Sequence, residues 1–209
     1  MIYMFLAPGF EEVEALFPLD LLRRAGLSVT TVSISAADRL SISPRSITAT
    51  SVFNTDRTVE GAHGITVLAD MSEASFCHYA AEHLLCEHPE PIEAVILPGG
   101  MPGTSNLDAS MIVDEILEQA RARDAYLCAI CAAPMILGKR GLLAGKRATC
   151  FPGFESYLEG ATVGGKVIRD GKVITAAGMG VAKEFGLEII SALCSPEKAG
   201  EINKTIQSL

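Results

Sequence analysis

Short, continuous runs of apolar residues recur along the chain and are separated by longer stretches of mixed polarity. Such runs, rich in β-branched and aromatic side chains, are typical of strands buried in a sheet. They lie at residues 2 to 7, 27 to 35, 65 to 69, 94 to 97, 125 to 130 and 147 to 151. Mixed stretches that suit helices lie at residues 11 to 25, 71 to 87, 109 to 123, 182 to 194 and 196 to 208. The alternation predicts one doubly wound α/β domain over residues 1 to 209, with a mostly parallel sheet.

Turn residues divide these elements. Pro8-Gly9 follows the first predicted strand. Asp170-Gly171 lies between two apolar stretches within residues 167 to 175, which is a strong β-hairpin signal. Residues 36 to 60 show no regular period, and we interpret them as an excursion from the fold, with a hairpin as one option.

Residues 124 to 137 change from a strand-type to a helix-type pattern at Cys131. Pro134 falls in the first turn of the predicted helix, where its missing N–H costs nothing. Ala129 and Ala133 lie two residues before and after Cys131, and a sharp strand-to-helix turn around a nucleophile requires small residues there. Cys131 is therefore a candidate nucleophile, and the alternative is a buried structural cysteine.

A glycine-rich loop, Pro98-Gly99-Gly100-Met101-Pro102-Gly103, follows the predicted strand at residues 94 to 97. The carboxyl ends of parallel strands form the ligand-binding edge of such sheets, and glycines leave backbone N–H groups accessible there. The loop is a candidate for binding a ligand through its backbone, with a simple tight turn as the alternative.

The composition is that of a globular protein and argues against two classes of partner. Hydrophobic residues make up 49% and charged residues 20% of the 209 residues. The net charge of −8, without any run of basic residues, argues against nucleic-acid binding. No apolar stretch approaches the ~18 residues needed to span a bilayer, and the first residues lack the basic leader of a signal peptide. We therefore expect no membrane association and a cytoplasmic location, with the six cysteines reduced.

Two patterns with known chemical meanings are rejected on spacing. Cys128 and Cys131 have the spacing of a redox pair, but in a strand their Cα atoms would be roughly 10 Å apart. A disulfide needs Cα atoms within about 7 Å. His78, His83 and His88 are five residues apart, which spreads them around a helix instead of aligning them as metal ligands. We expect neither a disulfide nor a metal site from these residues.

Four segments occur in an order that is specific for one family. They are APGFEEVE at residues 7 to 14, LPGGMPG at 97 to 103, AICAAP at 129 to 134 and ATCFPGFE at 148 to 155. With these segments the chain resembles the ThiJ/PfpI superfamily, in its DJ-one-like branch, nearly from end to end. The resemblance implies a flavodoxin-like fold of the class I glutamine amidotransferase type and, commonly, a homodimer.

The resemblance also implies roles for individual residues. Cys131 would be a reactive cysteine, with Glu14 from the first predicted helix hydrogen-bonded to it. Gly99, Gly100 and the N–H group of Ala132 would form an oxyanion-type pocket beside the cysteine.

The residues by themselves do not single out Glu14 among the glutamates of its helix. Glu11 and Glu12 suit the site equally well by position, or they form a solvated first turn favoured by the helix dipole. A helix N-terminus lowers the pKa of a thiol from its usual value of about 8.5, and a glutamate beside a thiolate is repelled unless it holds a proton. We therefore expect Cys131 to be mainly thiolate at neutral pH, with a protonated Glu14 donating to the sulfur.

The chain departs from the family pattern at several positions. Ala132 follows the cysteine where family peptidases have a histidine, which removes the general base of a Cys–His pair. Phe151 stands where a relative has a histidine near the cysteine, and residues 177 to 181 lack the Arg and Thr that often flank their glycine pair. His63 aligns roughly with an arginine of that relative, so it is either a pocket residue or a histidine in an exposed loop.

Three classes of function are open. We favour an enzyme that acts on small reactive carbonyls in the glyoxalase or deglycase sense, with Cys131 adding to the aldehyde and Glu14 moving protons. The alternative is an oxidative-stress sensor or chaperone whose Cys131 is oxidised, by a peroxide for example, without turnover. A peptidase or amidase is disfavoured by Ala132. We expect no metal and no cofactor.

Overall fold

The computed structural model describes residues 1–36 and 55–207. Its strands are β1 (Ile2–Leu6), β2 (Val29–Ser33), β3 (Thr58–Glu60), β4 (Thr66–Leu68), β5 (Met71–Ser72), β6 (Ala94–Leu97), β7 (Tyr126–Ile130), β8 (Arg147–Ala148), β9 (Thr162–Val163), β10 (Val167–Asp170) and β11 (Val173–Ala176). Its helices are α1 (Glu12–Arg24), α2 (Glu73–His83), α3 (Gly103–Asp108), α4 (Met111–Ala122), α5 (Pro134–Lys139), α6 (Ala182–Leu193) and α7 (Pro196–Thr205).

The central sheet of the described residues has the strand order β10-β11-β7-β6-β1-β2-β5. All neighbouring strands are parallel except β10 and β11, which form the antiparallel hairpin predicted around Asp170-Gly171. The parallel strands β2-β1-β6-β7-β11, numbered one to five along the chain, have the order 2-1-3-4-5 of flavodoxin-like doubly wound folds. The predicted fold class is confirmed.

Both faces of the sheet are covered, which explains why its strands are apolar without alternation. On β1, Tyr3 and Phe5 belong to the core on one face, together with side chains of α2 and α4. Ile2, Met4 and Leu6 belong to the core on the other face, together with side chains of α1 and α6. No helix within the described ranges is long and apolar enough to cross a bilayer.

Some predicted elements differ from the structure because contacts with distant residues set their ends. The helix expected at residues 71 to 87 begins later, since Met71–Ser72 pair with β2, and it ends at His83, so that His88 lies outside it. The strand expected at residues 147 to 151 keeps two residues. The glycine-rich loop continues into α3, which the sequence did not indicate.

The predicted excursion at residues 36 to 60 lies largely outside the described residues. Its last part forms β3, which pairs antiparallel with β4. The loop between these strands, residues 61 to 65, lies against the loop after β1, where the N–H of Ala62 donates to the carbonyl of Phe10 at 2.8 Å. The β3–β4 hairpin therefore borders the carboxyl edge of the sheet.

Loops from β1 and β6 are bonded to each other at this edge. The N–H of Glu11 donates to the carbonyl of Gly99 at 2.9 Å, and the N–H of Gly103 donates to the carbonyl of Gly9 at 3.2 Å. Gly100 has a φ of +89°, and a Cβ atom there would overlap the backbone of the loop after β1. This approach requires glycine and holds the first turn of α1 against the loop after β6.

Phe76 offers a test of the core between α2 and the sheet. Its ring is fully buried and makes edge-to-face contacts with Tyr3 and Phe5, at centroid distances of 5.1 and 5.3 Å. Because Phe76→Ala leaves a cavity, we expect it to lower the free energy of unfolding in urea by about 3–5 kcal/mol. Val163→Ala, at an exposed position of β9, should change it by less than about 1 kcal/mol. Equal effects of the two substitutions would contradict this account of the core.

Candidate active site

Cys131 occupies the turn directly after β7 and has a φ of +64°. This left-handed conformation is strained for a residue with a Cβ atom and suits a nucleophile on a strand-to-helix turn. Hydrogen bonds of 2.8 Å hold the turn on both sides, from the N–H of Cys131 to the carbonyl of Ala176 and from the N–H of Phe151 to the carbonyl of Cys131. Pro134 begins α5, as the sequence predicts.

Small residues allow the turn to be this tight. Ala129 and Ala133 are completely buried. A Cβ atom at Gly99 would lie 2.6 Å from the Cβ of Cys131 and 2.5 Å from Oε2 of Glu14. Any larger residue in place of Gly99 would therefore displace one of these two side chains.

Glu14 projects from the first turn of α1 towards Cys131 and is only 1% exposed. Its Oε2 accepts a hydrogen bond from the N–H of Gly99 at 3.1 Å, and its carboxyl is hydrogen-bonded to the Cys131 thiol. The backbone N–H of Met179 also donates to this carboxyl. The structure thus brings together Cys131 and the glutamate that the family resemblance selected.

Burial changes the ionisation of both groups. It raises the pKa of Glu14 to about 7, despite hydrogen bonds that favour the carboxylate. Burial and then the charge of Glu14 raise the pKa of Cys131 to about 12, although the N–H groups of Gly100 and Ala132 oppose the rise. Since two negative charges in contact are unfavourable, the pair keeps one shared proton until far above neutral pH.

These shifts contradict the expectation that Cys131 is mainly thiolate at neutral pH. Helix α5 has only six residues and begins three residues after Cys131, so its dipole contributes less than the loss of hydration. The raised pKa of Glu14 does agree with the expectation that this carboxyl can hold a proton beside the sulfur. Thiolate forms when the shared proton resides on Glu14.

The backbone donors around Cys131 divide into two groups. Those of Gly100 and Ala132 are hydrogen-bonded to the sulfur, as expected of an oxyanion-type pocket. The N–H of Gly99 is directed at Glu14 instead. Gly99 therefore positions the carboxyl, which corrects its expected place among the donors of that pocket.

Glu12 is not the solvated first-turn residue that the sequence allowed. It is 3% exposed, and its carboxylate accepts the backbone N–H of His63 at 2.8 Å and lies 3.0 Å from Nδ1 of the same residue. Burial alone would raise the pKa of Glu12, but hydrogen bonds from His63 and Ile65 outweigh it and lower the pKa. Glu12 therefore ties the loop of the β3–β4 hairpin to α1.

Within the described residues, His63 makes no hydrogen bond or ion pair with Cys131. Its ring is exposed and lies against Glu12 and, at 3.5 Å from Nδ1, Glu11. The hydrogen bond with Glu12, followed by the charges of both glutamates, raises the pKa of His63. The three side chains place ligand-type atoms within 4.8 Å of one another, but their mutual hydrogen bonds account for the arrangement, and we assign no metal to it.

Cys128 is a free cysteine, as is Cys131. Cys128 lies inside the core that α1 and α6 cover, and burial raises its pKa far above that of an ordinary thiol. Both observations agree with the rejection of a Cys128–Cys131 disulfide.

Phe151, Gly178 and Met179 border the Cys131–Glu14 pair where it opens to the surface. A Cβ atom at Gly178 would lie 3.7 Å from Oε1 of Glu14 and 3.3 Å from the Phe151 ring. The sequence marked Phe151 and residues 177 to 181 only as departures from the family pattern. It did not indicate that Met179 contacts Glu14, because nothing in the local pattern distinguishes this residue.

A cysteine on a strained strand-to-helix turn, paired with a buried carboxyl at the carboxyl edge of the sheet, places the chain among flavodoxin-like α/β proteins with a cysteine at this turn. The model of the DJ-1/PfpI family matches residues 1–192. The chain belongs to the DJ-1/PfpI family, as the resemblance of its motifs indicated.

Named relatives match along most of their length. Protein dj-1beta of Drosophila melanogaster is 30% identical over 206 residues, covering 95% of this chain and 92% of that protein. The Parkinson disease protein 7 homolog of Danio rerio is 30% identical over 201 residues, covering 94% of this chain and 91% of that protein. The crystal structure of Drosophila melanogaster DJ-1beta has a TM-score of 0.79 at 29% identity, covering 100% of this chain and 97% of that one. The structure of oxidised Toxoplasma gondii DJ-1 has a TM-score of 0.79 at 27% identity, covering 99% of this chain and 97% of that one.

The shared proton predicts a two-step pH profile for alkylation of Cys131. The first proton should leave the pair near pH 7 and allow some thiolate, and the second should leave only near pH 12. Glu14→Gln removes the partner, so the step near pH 7 should disappear. Mass spectrometry of the Cys131 peptide after iodoacetamide pulses measures the profile without interference from the exposed Cys194. A single step near the usual thiol value of about 8.5 in both proteins would contradict a shared proton.

The raised pKa of Glu14 also predicts how stability depends on pH. In the unfolded chain Glu14 loses its proton above a pKa of 4.5, whereas in the folded protein it keeps the proton up to about pH 7. The contribution of Glu14 to the free energy of unfolding therefore decreases as pH rises from 4.5 to about 7. Glu14→Gln lacks the titration. Relative to the wild type, the variant should therefore gain stability over this interval, on the order of 3 kcal/mol. The difference should then stay constant until the thiol of Cys131 begins to titrate. Urea unfolding at several pH values measures this difference, and a value independent of pH would show that Glu14 is not buried as described.

Proposed function

We propose that this protein is an enzyme that acts on small reactive carbonyl compounds through Cys131 and Glu14, in the glyoxalase or deglycase sense. The observation that carries the proposal is the direct hydrogen bond between the thiol and a buried carboxyl whose pKa is raised to about 7. Such a carboxyl can give and take protons at neutral pH, which addition to a carbonyl requires. Family membership by itself does not select this activity.

The chemistry can be written for a 2-oxoaldehyde. The Cys131 sulfur bonds to the aldehyde carbon, the carbonyl electron pair moves to oxygen, and the proton of the pair passes to that oxygen to give a hemithioacetal. The Glu14 carboxylate then removes the C–H proton of the former aldehyde carbon and returns it to the neighbouring carbon. The hydroxyl proton of the hemithioacetal passes to the oxygen of that neighbouring carbon, which leaves a thioester of a 2-hydroxy acid. Water hydrolyses the thioester and restores the thiol. The sum is addition of one water, so no external oxidant or reductant is needed.

The backbone around the sulfur supports this sequence of steps. The N–H groups of Gly100 and Ala132 already donate to the sulfur, and donors so placed can stabilise an oxygen that becomes negative beside it. A peptidase is less well supported, because alanine at position 132 stands where a histidine would serve as general base. Within the described residues, no histidine is hydrogen-bonded to Cys131.

An oxidative-stress sensor or chaperone is the second candidate. The Cys131 side chain is partly accessible, and the same N–H donors and Glu14 would stabilise the oxygens of a sulfinate. A solved structure of the Toxoplasma gondii relative is of an oxidised form. In this alternative a peroxide would be the partner of Cys131, and no turnover would be needed.

We also propose the homodimer and the cytoplasmic location that the sequence led us to expect. Exposed apolar side chains on α1 and on the β3–β4 hairpin, namely Val13, Ile65 and Leu68, are compatible with a contact between two copies.

Formation of lactate from methylglyoxal tests the proposed enzyme. Product must be measured, because methylglyoxal also disappears by forming adducts with any thiol. We expect Cys131→Ser to abolish lactate formation and Glu14→Gln to lower kcat at least about 100-fold, since the proton transfers lose their carrier. Cys194→Ser, at an exposed cysteine away from the site, should leave the rate unchanged. Absence of lactate with the reduced wild type, together with stoichiometric oxidation of Cys131 by peroxide, would contradict the enzyme and favour the sensor.

A further inference from the structure

A surface cavity of about 390 Å³ adjoins the Cys131–Glu14 pair. Its walls come from three segments, which are the turn after β8, the end of the loop before β10 and the segment that joins β11 to α6. They are formed by Phe151, Pro152, Lys166, Ala177, Gly178, Met179, Gly180 and Val181. This volume falls in the usual range for small-molecule sites.

The cavity lies beside the reacting groups, because three of its lining residues border the Cys131–Glu14 pair. Phe151 donates its N–H to the carbonyl of Cys131 at 2.8 Å, and Met179 donates its N–H to the Glu14 carboxyl. Gly178 has no side chain between Glu14 and the Phe151 ring, where a Cβ atom would lie 3.7 Å from Oε1 of Glu14. This cavity is therefore the nearest surface space for the remaining atoms of a substrate whose carbonyl is held at Cys131.

The walls of the cavity are mostly apolar. Phe151 is 48% exposed and Met179 is 53% exposed, an unusual placement for two large apolar side chains at one site. Lys166 is the only charged residue among those that line the cavity. The neighbouring wall is made of alanine, glycine, proline and valine, which offer no side-chain hydrogen bonds.

We propose that the site selects 2-oxoaldehydes with a bulky apolar substituent, aromatic above all, and that Phe151 and Met179 determine this selectivity. The inference rests on the proposed carbonyl chemistry and names its substrate class. A phenyl group packed against the Phe151 ring or the Met179 side chain would remove apolar surface from water on both partners. A carbonyl compound with several hydroxyl groups would leave them without partners against the same walls.

The test compares phenylglyoxal with methylglyoxal, which differ in the substituent and carry the same reacting groups. Formation of mandelate and of lactate gives kcat/KM for each. We expect the wild type to favour phenylglyoxal by about tenfold or more, as a filled apolar pocket provides. Phe151→Ala and Met179→Ala should each bring the ratio of the two values closer to one. Phe151→Leu, which keeps an apolar side chain, should retain more of the preference than Phe151→Ala.

Met111→Ala is the matched control. Met111 is 42% exposed at the start of α4, outside the cavity lining, and its truncation should leave the ratio unchanged. Equal kcat/KM for the two substrates in the wild type, or a ratio that the cavity variants do not alter, would overturn the selectivity and leave the proposed enzyme intact.

A binding measurement separates this inference from the proposed function. If the reduced wild type forms neither product, the proposed enzyme fails. Binding of mandelate and lactate to Cys131→Ser, followed by NMR titration, then tests the cavity without turnover. Tighter binding of mandelate that is lost in the Cys131→Ser, Phe151→Ala double variant would support an apolar site. Equal binding of the two acids would overturn it.

Discussion

The hydrogen bond between the Glu14 carboxyl and the Cys131 thiol is the interaction on which the candidate active site depends. It requires a buried acid, a left-handed φ at Cys131 and very close approach at Gly99, none of which is locally favourable. These conditions persist because the loops after β1 and β6 are bonded to each other and two apolar layers hold the strands that carry them. Conflict with local preferences inside an otherwise consistent fold is typical of functional sites.

Two carboxyl groups on the first turn of α1 show how closely ionisation follows surroundings. Glu12 and Glu14 are both buried, yet the pKa of Glu12 is lowered and that of Glu14 is raised. Glu12 is compensated by hydrogen bonds from His63 and Ile65, so it stays charged and anchors a loop. Glu14 has fewer compensating donors than its burial requires, so it can carry a proton. One helix turn thus supplies a structural anion and a proton carrier.

The paired thiol and carboxyl are compatible with more than one chemistry. An alkoxide from carbonyl addition and the oxygens of a sulfinate would both be stabilised by the N–H groups of Gly100 and Ala132. In the proposed reaction the pair supplies the reactive atom, and the cavity beside it would select which substrates reach that atom. In this chain the cavity carries Phe151 and Met179, so its walls differ in polarity from those expected from the family pattern.

The order of strands and helices, the turn at Cys131 and the hairpin at Asp170-Gly171 could be predicted from the sequence, because each depends on residues that are neighbours in the chain. The motifs also led to Glu14, but only through resemblance to a family, since its helix carries other glutamates with the same local preference. The tertiary structure alone decided that Glu12 is buried against His63, that the N–H of Gly99 serves the carboxyl, and that burial raises the pKa of Cys131. Burial and hydrogen-bond partners come from segments distant in sequence, and the free energy of a charge depends on them more than on any local pattern.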